Sequence, residues 1–280
     1  MRKHPLLRWA LKRPGLMIPV FFLSVCPLLH GQEIQTGART LGLGKCITVS
    51  GHARYISCNE ANLGWNRQTI FSAGHSRPFA IKNLGVSCLE TAFPLFPGRM
   101  SFRTGNYGIP GYQVFFSSIA FGMPLGESLA AGTAFRLYNA ATGDSWSYLR
   151  CVGLSAGISW MVTPETLLGV HIKNPVTVNN YPAHQELFPS SARVGIRRKI
   201  YSATHLFGEV SYHSHSGPCL HIAAEIDLVE HLSLRSGYTS NPFTIALGAG
   251  FTTGTWIIDI ACPYSPVTGP GPAIQLTCLL

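Results

Sequence analysis

The sequence predicts an all-β protein: a transmembrane up-and-down antiparallel β-barrel of about 14 strands (12 to 14), with an N-terminal plug or hatch segment. Three observations carry this. Of 280 residues, 46% are hydrophobic and only 12% charged, about half the charged share of an ordinary soluble domain. Apolar residues alternate with small or charged ones in run after run, the mark of strands with a different environment on each face. No run approaches the roughly 18 to 20 apolar residues of a spanning helix, so a chain with this surface crosses a bilayer as a closed barrel.

Residues 1–15 carry Arg2, Lys3, Arg8, Lys12 and Arg13 and no acid, and an apolar run over 16–29 leads to His30, Gly31 and Gln32. This is the basic and apolar pattern of an export signal, residues 1–31, too short for a membrane anchor. Its removal takes five of the 21 Lys and Arg and none of the 12 Asp and Glu, leaving 16 against 12, so the net charge falls from +9 to +4. The basic balance therefore belongs to the signal, and no nucleic-acid surface is implied. Seven cysteines remain, spread along the chain, with no small-domain disulfide framework. Cys46 and Cys58 either pair or serve as two small apolar side chains.

Residues 32–67 lack sustained alternation and read as the plug, or as an unpacked leader, ahead of a barrel over 68–280. Strands are predicted over 68–76, 83–93, 98–105, 111–122, 127–138, 149–162, 165–173, 191–200, 203–213, 218–229, 231–239, 243–252, 255–262 and 273–280. Many reach the 9 to 11 residues of a membrane strand. Leu220, Ile222, Ala224, Ile226 and Leu228, for example, alternate with His221, Ala223, Glu225 and Asp227. Tight connections such as Thr163-Pro164 and Thr253-Gly254 alternate with long ones such as 140–148, 174–190 and 263–272, which is how a membrane barrel sorts its two ends.

Short sequences add a resemblance. Ala38-Arg39-Thr40-Leu41-Gly42-Leu43-Gly44, then Asn59-Glu60-Ala61-Asn62-Leu63, resemble the A-R-x-L-G-M-G … N-P-A-G-L opening of FadL-like outer-membrane barrels of the PorV/PorQ type. Leu232-Ser233-Leu234-Arg235-Ser236-Gly237-Tyr238, the run 243–250 and the run 256–261 resemble that group's closing hairpins, and 168–174 fits its mid-barrel strand. Glu60 stands where the family has Pro, and Leu280 ends the chain where an aromatic is common. The resemblance implies a barrel of about 14 strands with an N-terminal plug, in the outer membrane. Members include long-chain fatty-acid channels and accessory barrels of the type IX secretion system. It implies outer-membrane lipid, secretion-system subunits and secreted cargo as partners. Asn59, Ala61, Leu63 and Arg235 become candidate ligand-binding or gating residues.

Motifs for bond chemistry are weak. Gly153-Leu154-Ser155-Ala156-Gly157 matches the G-x-S-x-G elbow but lies within a predicted strand, where no sharp turn exposes the serine. His213, His215, Cys219 and His221 have zinc-ligand types, but they cluster at a predicted hairpin tip where solvated histidines need no metal. Arg193, Arg197, Lys199, Glu209, Glu225, Asp227, Arg235 and Asp259 share the small-residue face and predict charge ladders inside the lumen. No cofactor and no enzymatic activity are expected. Because the inward faces read as Gly, Ser and charge rather than as a greasy pocket, the sequence favours an accessory or scaffold barrel for secretion or surface attachment. The alternative is a FadL-like passive transporter of a hydrophobic solute.

Overall fold

In the computed structural model, residues 37–51, 54–56, 58–142, 147–179, 190–214 and 216–280 are described. The expected export signal, residues 1–31, lies outside them. Fourteen wall strands form one closed antiparallel sheet among the described residues: β1 Ile70–Ser76, β2 Gly85–Leu95, β3 Gly98–Ile109, β4 Tyr112–Pro124, β5 Leu129–Thr142, β6 Ser147–Thr163, β7 Thr166–Asn179, β8 Ser191–Tyr201, β9 Thr204–His213, β10 Gly217–Val229, β11 Leu232–Ser240, β12 Phe243–Thr253, β13 Trp256–Ser265 and β15 Ala273–Leu279. Each pairs with the next in sequence, and β15 closes the ring between β13 and β1, with Ile70 opposite Leu279. A two-residue piece, β14 Gly269–Pro270, pairs with the end of β13. Closure leaves no unpaired sheet edge, the condition for backbone to lie in lipid. No described helix is long and apolar enough to cross a membrane.

The alternation places the two faces as expected. Outward side chains are large, apolar and exposed, among them Leu154, Ile158 and Trp160 on β6, Val194 and Ile196 on β8, and Trp256, Ile258 and Ile260 on β13. Their cross-wall neighbours at odd phase, such as Ser155, Ser159, Arg193 and Asp259, are buried toward the lumen. Such a large apolar exterior has no place in water and fits a bilayer.

The end holding β1's start and β15's finish carries tight turns throughout, such as Pro164-Glu165 and Gly254-Thr255. The opposite end carries the longer loops 77–84 and 266–272, although β3–β4 and β11–β12 turn there in two residues. Several strands run further than the sequence suggested, β3, β5 and β7 by four residues or more. Gly105 and Gly108 blur the alternation of β3, which nevertheless stays paired with β2 and β4 to Ile109. Pro175 reads as a strand end, but β7 continues past a register shift opposite Gly153 and Ser155, with Asn174 at φ 51. Two extra residues on β7, four steps from Lys173 to Thr177 against two from Ser155 to Gly153, absorb the irregularity in a bulge without ending the ladder.

Candidate functional site: the lumen and the segment inside it

The described residues 37–66 lie inside the barrel, and the wall is shaped for them. On β4, β5 and β6 three glycines stand side by side, Gly122 opposite Gly132 and Gly132 opposite Gly157. A Cβ on Gly132 would fall 2.4 Å from the Glu60 carbonyl carbon and 2.6 Å from the Ala61 nitrogen, and one on Gly122 would fall 2.2 Å from the Glu60 oxygen. Across the lumen Gly237 meets Gly44 in the same way, 2.1 Å from its nitrogen. The small-residue face seen in the sequence is thus a berth for backbone, not an open pore lining.

The segment enters through helix α1, Ala38–Gly42, packed against β12 and β13. Gly44 makes the following turn at φ 58, a conformation that favours glycine. A 3-10 helix, Glu60–Trp65, then packs on β4, β5 and β6. Asn59 caps it: its Oδ1 accepts from the Ala61 amide at 3.2 Å, and its Nδ2 donates to the Thr48 carbonyl at 2.9 Å. Ala61 and Leu63 are buried, Leu63 beside Ile70, Ala92 and Ala120.

Three charge clusters tie the segment to the wall. In the first, Arg136 Nη2 on β5 lies 2.5 Å from Glu60 Oε1, Ser155 Oγ donates to the same oxygen at 2.7 Å, and His171 Nε2 lies 3.0 Å from Oε2. Burial alone would raise the Glu60 carboxyl, but the facing His171 and Arg136 and the hydrogen bonds from His171 and Ser155 hold it well below the usual carboxylate range. In the second, Arg39 of α1 and Arg235 of β11 share Glu225, at 2.7 Å each, and Arg235 also reaches Asp259 at 2.5 Å. Tyr55 sits beneath the Arg39 guanidinium, 4.4 Å from ring centroid to Cζ, and its hydroxyl accepts from Arg235 at 3.2 Å. Burial and the Asp259 charge push that phenol up to about 12, so it stays neutral at physiological pH. In the third, the Ile47 and Thr48 amides donate to Glu209 Oε2 at 2.9 and 2.7 Å, while Arg193 holds Oε1 at 2.6 Å. Burial, then Glu209, pushes the nearby Cys46 thiol up, which keeps it protonated and unreactive.

The predicted ladders therefore exist at Arg193–Glu209 and Arg235–Glu225, but their acids also hold the inner segment. Glu60 departs from the family's proline and is the hub of one cluster. Because its folded-state carboxyl lies below the free value of 4.5, its contribution is complete above that pH and fades as pH falls below it. Amide exchange across the 3-10 helix, corrected for intrinsic chemistry, should be the same at pH 8 and pH 5.5 and should rise only in stronger acid.

Of the four candidate gating residues, Asn59, Ala61 and Leu63 share one short helix, whereas Arg235 belongs to the cluster on the α1 side. Tyr55 and Arg136 carry no motif in the sequence, and Arg39 and Glu60 stand there only as parts of the opening motif and His171 only within the mid-barrel run, with no site role. The inward phase of Arg136 and His171 on their strands was readable, but their partners, 76 and 111 residues away, were not.

Two expectations are corrected in part. His221 is no solvated loop residue: it is buried on β10, with Nδ1 2.8 Å from the Gly44 carbonyl and Nε2 3.0 Å from Ser211 Oγ. Cys219 and His213 flank it on the same and the adjacent strand, and His215 lies outside the described residues. Among the described residues no three metal-type side chains come together, and Arg193 Nη2 stands 3.4 Å from His213 Nε2, a cation where a metal would need a lone pair. Calorimetry with micromolar zinc should give no saturable heat. Ser155 lies mid-strand, bonded to an acid rather than to a base, which is not the geometry of an activated nucleophile. Cys46 and Cys58 are both free thiols.

The second correction concerns the inward face. Toward the long-loop end, above the inner segment, five neighbouring strands turn apolar groups into the lumen: Val86 and Cys88, Val114 and Phe116, Tyr138 and Ala140, and Cys151, with Tyr107 and Tyr112 packed against them. No run in the sequence marks this patch, because its members come one to three per strand at alternate positions.

No family model matches the chain, and no curated protein does. Solved structures do match in fold. A FadL homologue of Pseudomonas aeruginosa is 9% identical and has a TM-score of 0.64, over 89% of this chain and 99% of that one. The toluene transporter TodX of Pseudomonas putida is 11% identical with a TM-score of 0.62, over 90% and 97%. The toluene transporter TbuX of Ralstonia pickettii is 13% identical with a TM-score of 0.58, over 90% and 99%. At these identities the likeness is one of fold, the FadL-like barrel.

Proposed function

We propose that this chain is a passive outer-membrane channel for a small hydrophobic solute, with residues 37–66 as the plug that gates it and no bond chemistry of its own. The observation that carries the reading is the apolar lumen patch built from Val86, Val114, Phe116 and Tyr138 at the long-loop end. These side chains are packed against one another, and a hydrophobic solute that parts them meets an apolar lining, at roughly 25 cal/mol per Å² buried. The fold neighbours TbuX and TodX are toluene transporters, which supports the same reading. This reading replaces the scaffold role of PorV/PorQ type, which rested on an inward face of Gly, Ser and charge alone.

Uptake of radiolabelled toluene and oleate by Gram-negative cells lacking their own hydrophobic-solute channel tests it. Expression should raise the initial rate several-fold, and Phe116→Asp, which puts a charge on the patch, should return it to background while the barrel still assembles. Uptake equal to the empty vector, together with co-purifying secretion-system subunits, would restore the scaffold reading.

A further inference from the structure

The outward face of β1–β3 carries a row of polar side chains near the long-loop end. His75, Ser87 and Asn106 are consecutive cross-strand neighbours, His75 opposite Ser87 and Ser87 opposite Asn106, and all three point outward. His75 Nδ1 lies 3.0 Å from Ser87 Oγ, and Gly85 leaves room for the ring, since a Cβ there would stand 3.1 Å from its Cε1. Neither His75 Nε2 nor the Asn106 amide has a hydrogen-bond partner among the described residues. Polar groups on the lipid side of a barrel are costly unless something meets them.

The row borders a concavity of about 400 Å³ whose floor includes Ala73, Leu89, Ile274 and Leu276. An apolar hollow with hydrogen-bonding groups at its margin is amphipathic, as a membrane lipid is. The row lies one to three residues from the long-loop ends of its strands, where a lipid's polar head would sit.

Charge narrows the occupant further. Residues 61–89 contain Arg67, Arg77 and Lys82 and no Asp or Glu, and the next acid, Glu90, faces inward and pairs with Arg103 at 2.5 Å. Arg77, two residues beyond His75, and Lys82 are exposed and have no carboxylate partner among the described residues. Exposed cations beside neutral donors recognise an anionic phosphate.

We infer that the outer face of β1–β3 is a binding site for one anionic, phosphate-bearing lipid of the leaflet at the long-loop end, its headgroup held by His75, Asn106 and Arg77 and an acyl chain lying over Ala73, Leu89 and Leu276. The site is on the wall's exterior and is independent of what passes through the lumen.

Native mass spectrometry of the full chain in a neutral detergent, with dioleoyl phosphatidylglycerol or dioleoyl phosphatidylcholine added, tests it. One phosphatidylglycerol should stay bound at collision energies that strip phosphatidylcholine. The triple variant His75→Leu, Arg77→Gln, Asn106→Leu should lose at least fivefold of that adduct while its heat-modifiable gel shift shows an intact barrel. Arg77→Glu alone, which leaves the wall untouched, should lower phosphatidylglycerol retention and leave phosphatidylcholine unchanged. Equal retention of the two lipids by the parent protein, or retention by folded variants equal to the parent's, would overturn the site.

Discussion

Gly132→Val is expected to expel the plug from its berth while leaving the barrel standing. The added Cβ would lie 2.4 Å from the Glu60 carbonyl carbon and 2.6 Å from the Ala61 nitrogen. Both are backbone atoms of a helix that is itself pinned by Arg136, His171 and Ser155, so no side chain can rotate away. The conflict exceeds the ordinary overpacking cost of about 1–3 kcal/mol, and the segment has somewhere else to go, whereas the wall does not. Valine suits a strand, so the ladder from β4 to β6 should persist. Planar-bilayer recordings should show discrete conductance steps larger or more frequent than those of the parent, and amides of 38–65 should lose exchange protection. An unchanged exchange pattern in a folded variant would mean that the segment does not sit against β5.

Glu60→Gln should loosen the same helix by a different route. Glutamine keeps the shape and can still accept from Ser155, but Arg136 loses the carboxylate 2.5 Å away and remains buried. Breaking one partner of a buried pair costs about 3–5 kcal/mol, because the other charge is left uncompensated. The double variant Glu60→Gln, Arg136→Met should recover much of that loss, since removing both charges also removes the penalty. Exchange protection of the Glu60–Trp65 amides measures both variants, and a double variant no better protected than the single one would show that the ion pair is not what fixes the helix. If the plug gates a hydrophobic solute, the single variant should also change the initial uptake rate, whereas a static plug would leave it alone.

The wall was legible because a barrel strand in lipid writes its environment directly into alternate residues. Trp256, Ile258 and Ile260 against Ile257, Asp259 and Ala261 need no knowledge of any other strand to be placed outside and inside. The turns were legible for a similar local reason, with Thr163-Pro164 and Thr253-Gly254 marking reversals by their own backbone preferences. Where local signals conflicted, the sequence misled: it ended β3 at Gly105 and β7 at Lys173, while pairing with both neighbours carried β3 onward and pairing with β6 carried β7. His221 misled in another way, since a histidine near a hairpin reads as solvated until the Gly44 carbonyl is found against its ring.

By itself, then, the sequence determined the barrel, its strand number and which residues face the bilayer, because period-two patterning and connection length are local properties that lipid enforces on every strand separately. Only the tertiary structure decided what the inward face is for. Arg39 meets Glu225 across 186 residues, Glu60 meets His171 across 111, and Gly132 leaves space for a backbone that arrives from before the first strand. The apolar lumen patch likewise draws one to three residues from each of five strands. Such contacts depend on the curvature and register that closing the sheet imposes, and no spacing along the chain encodes them.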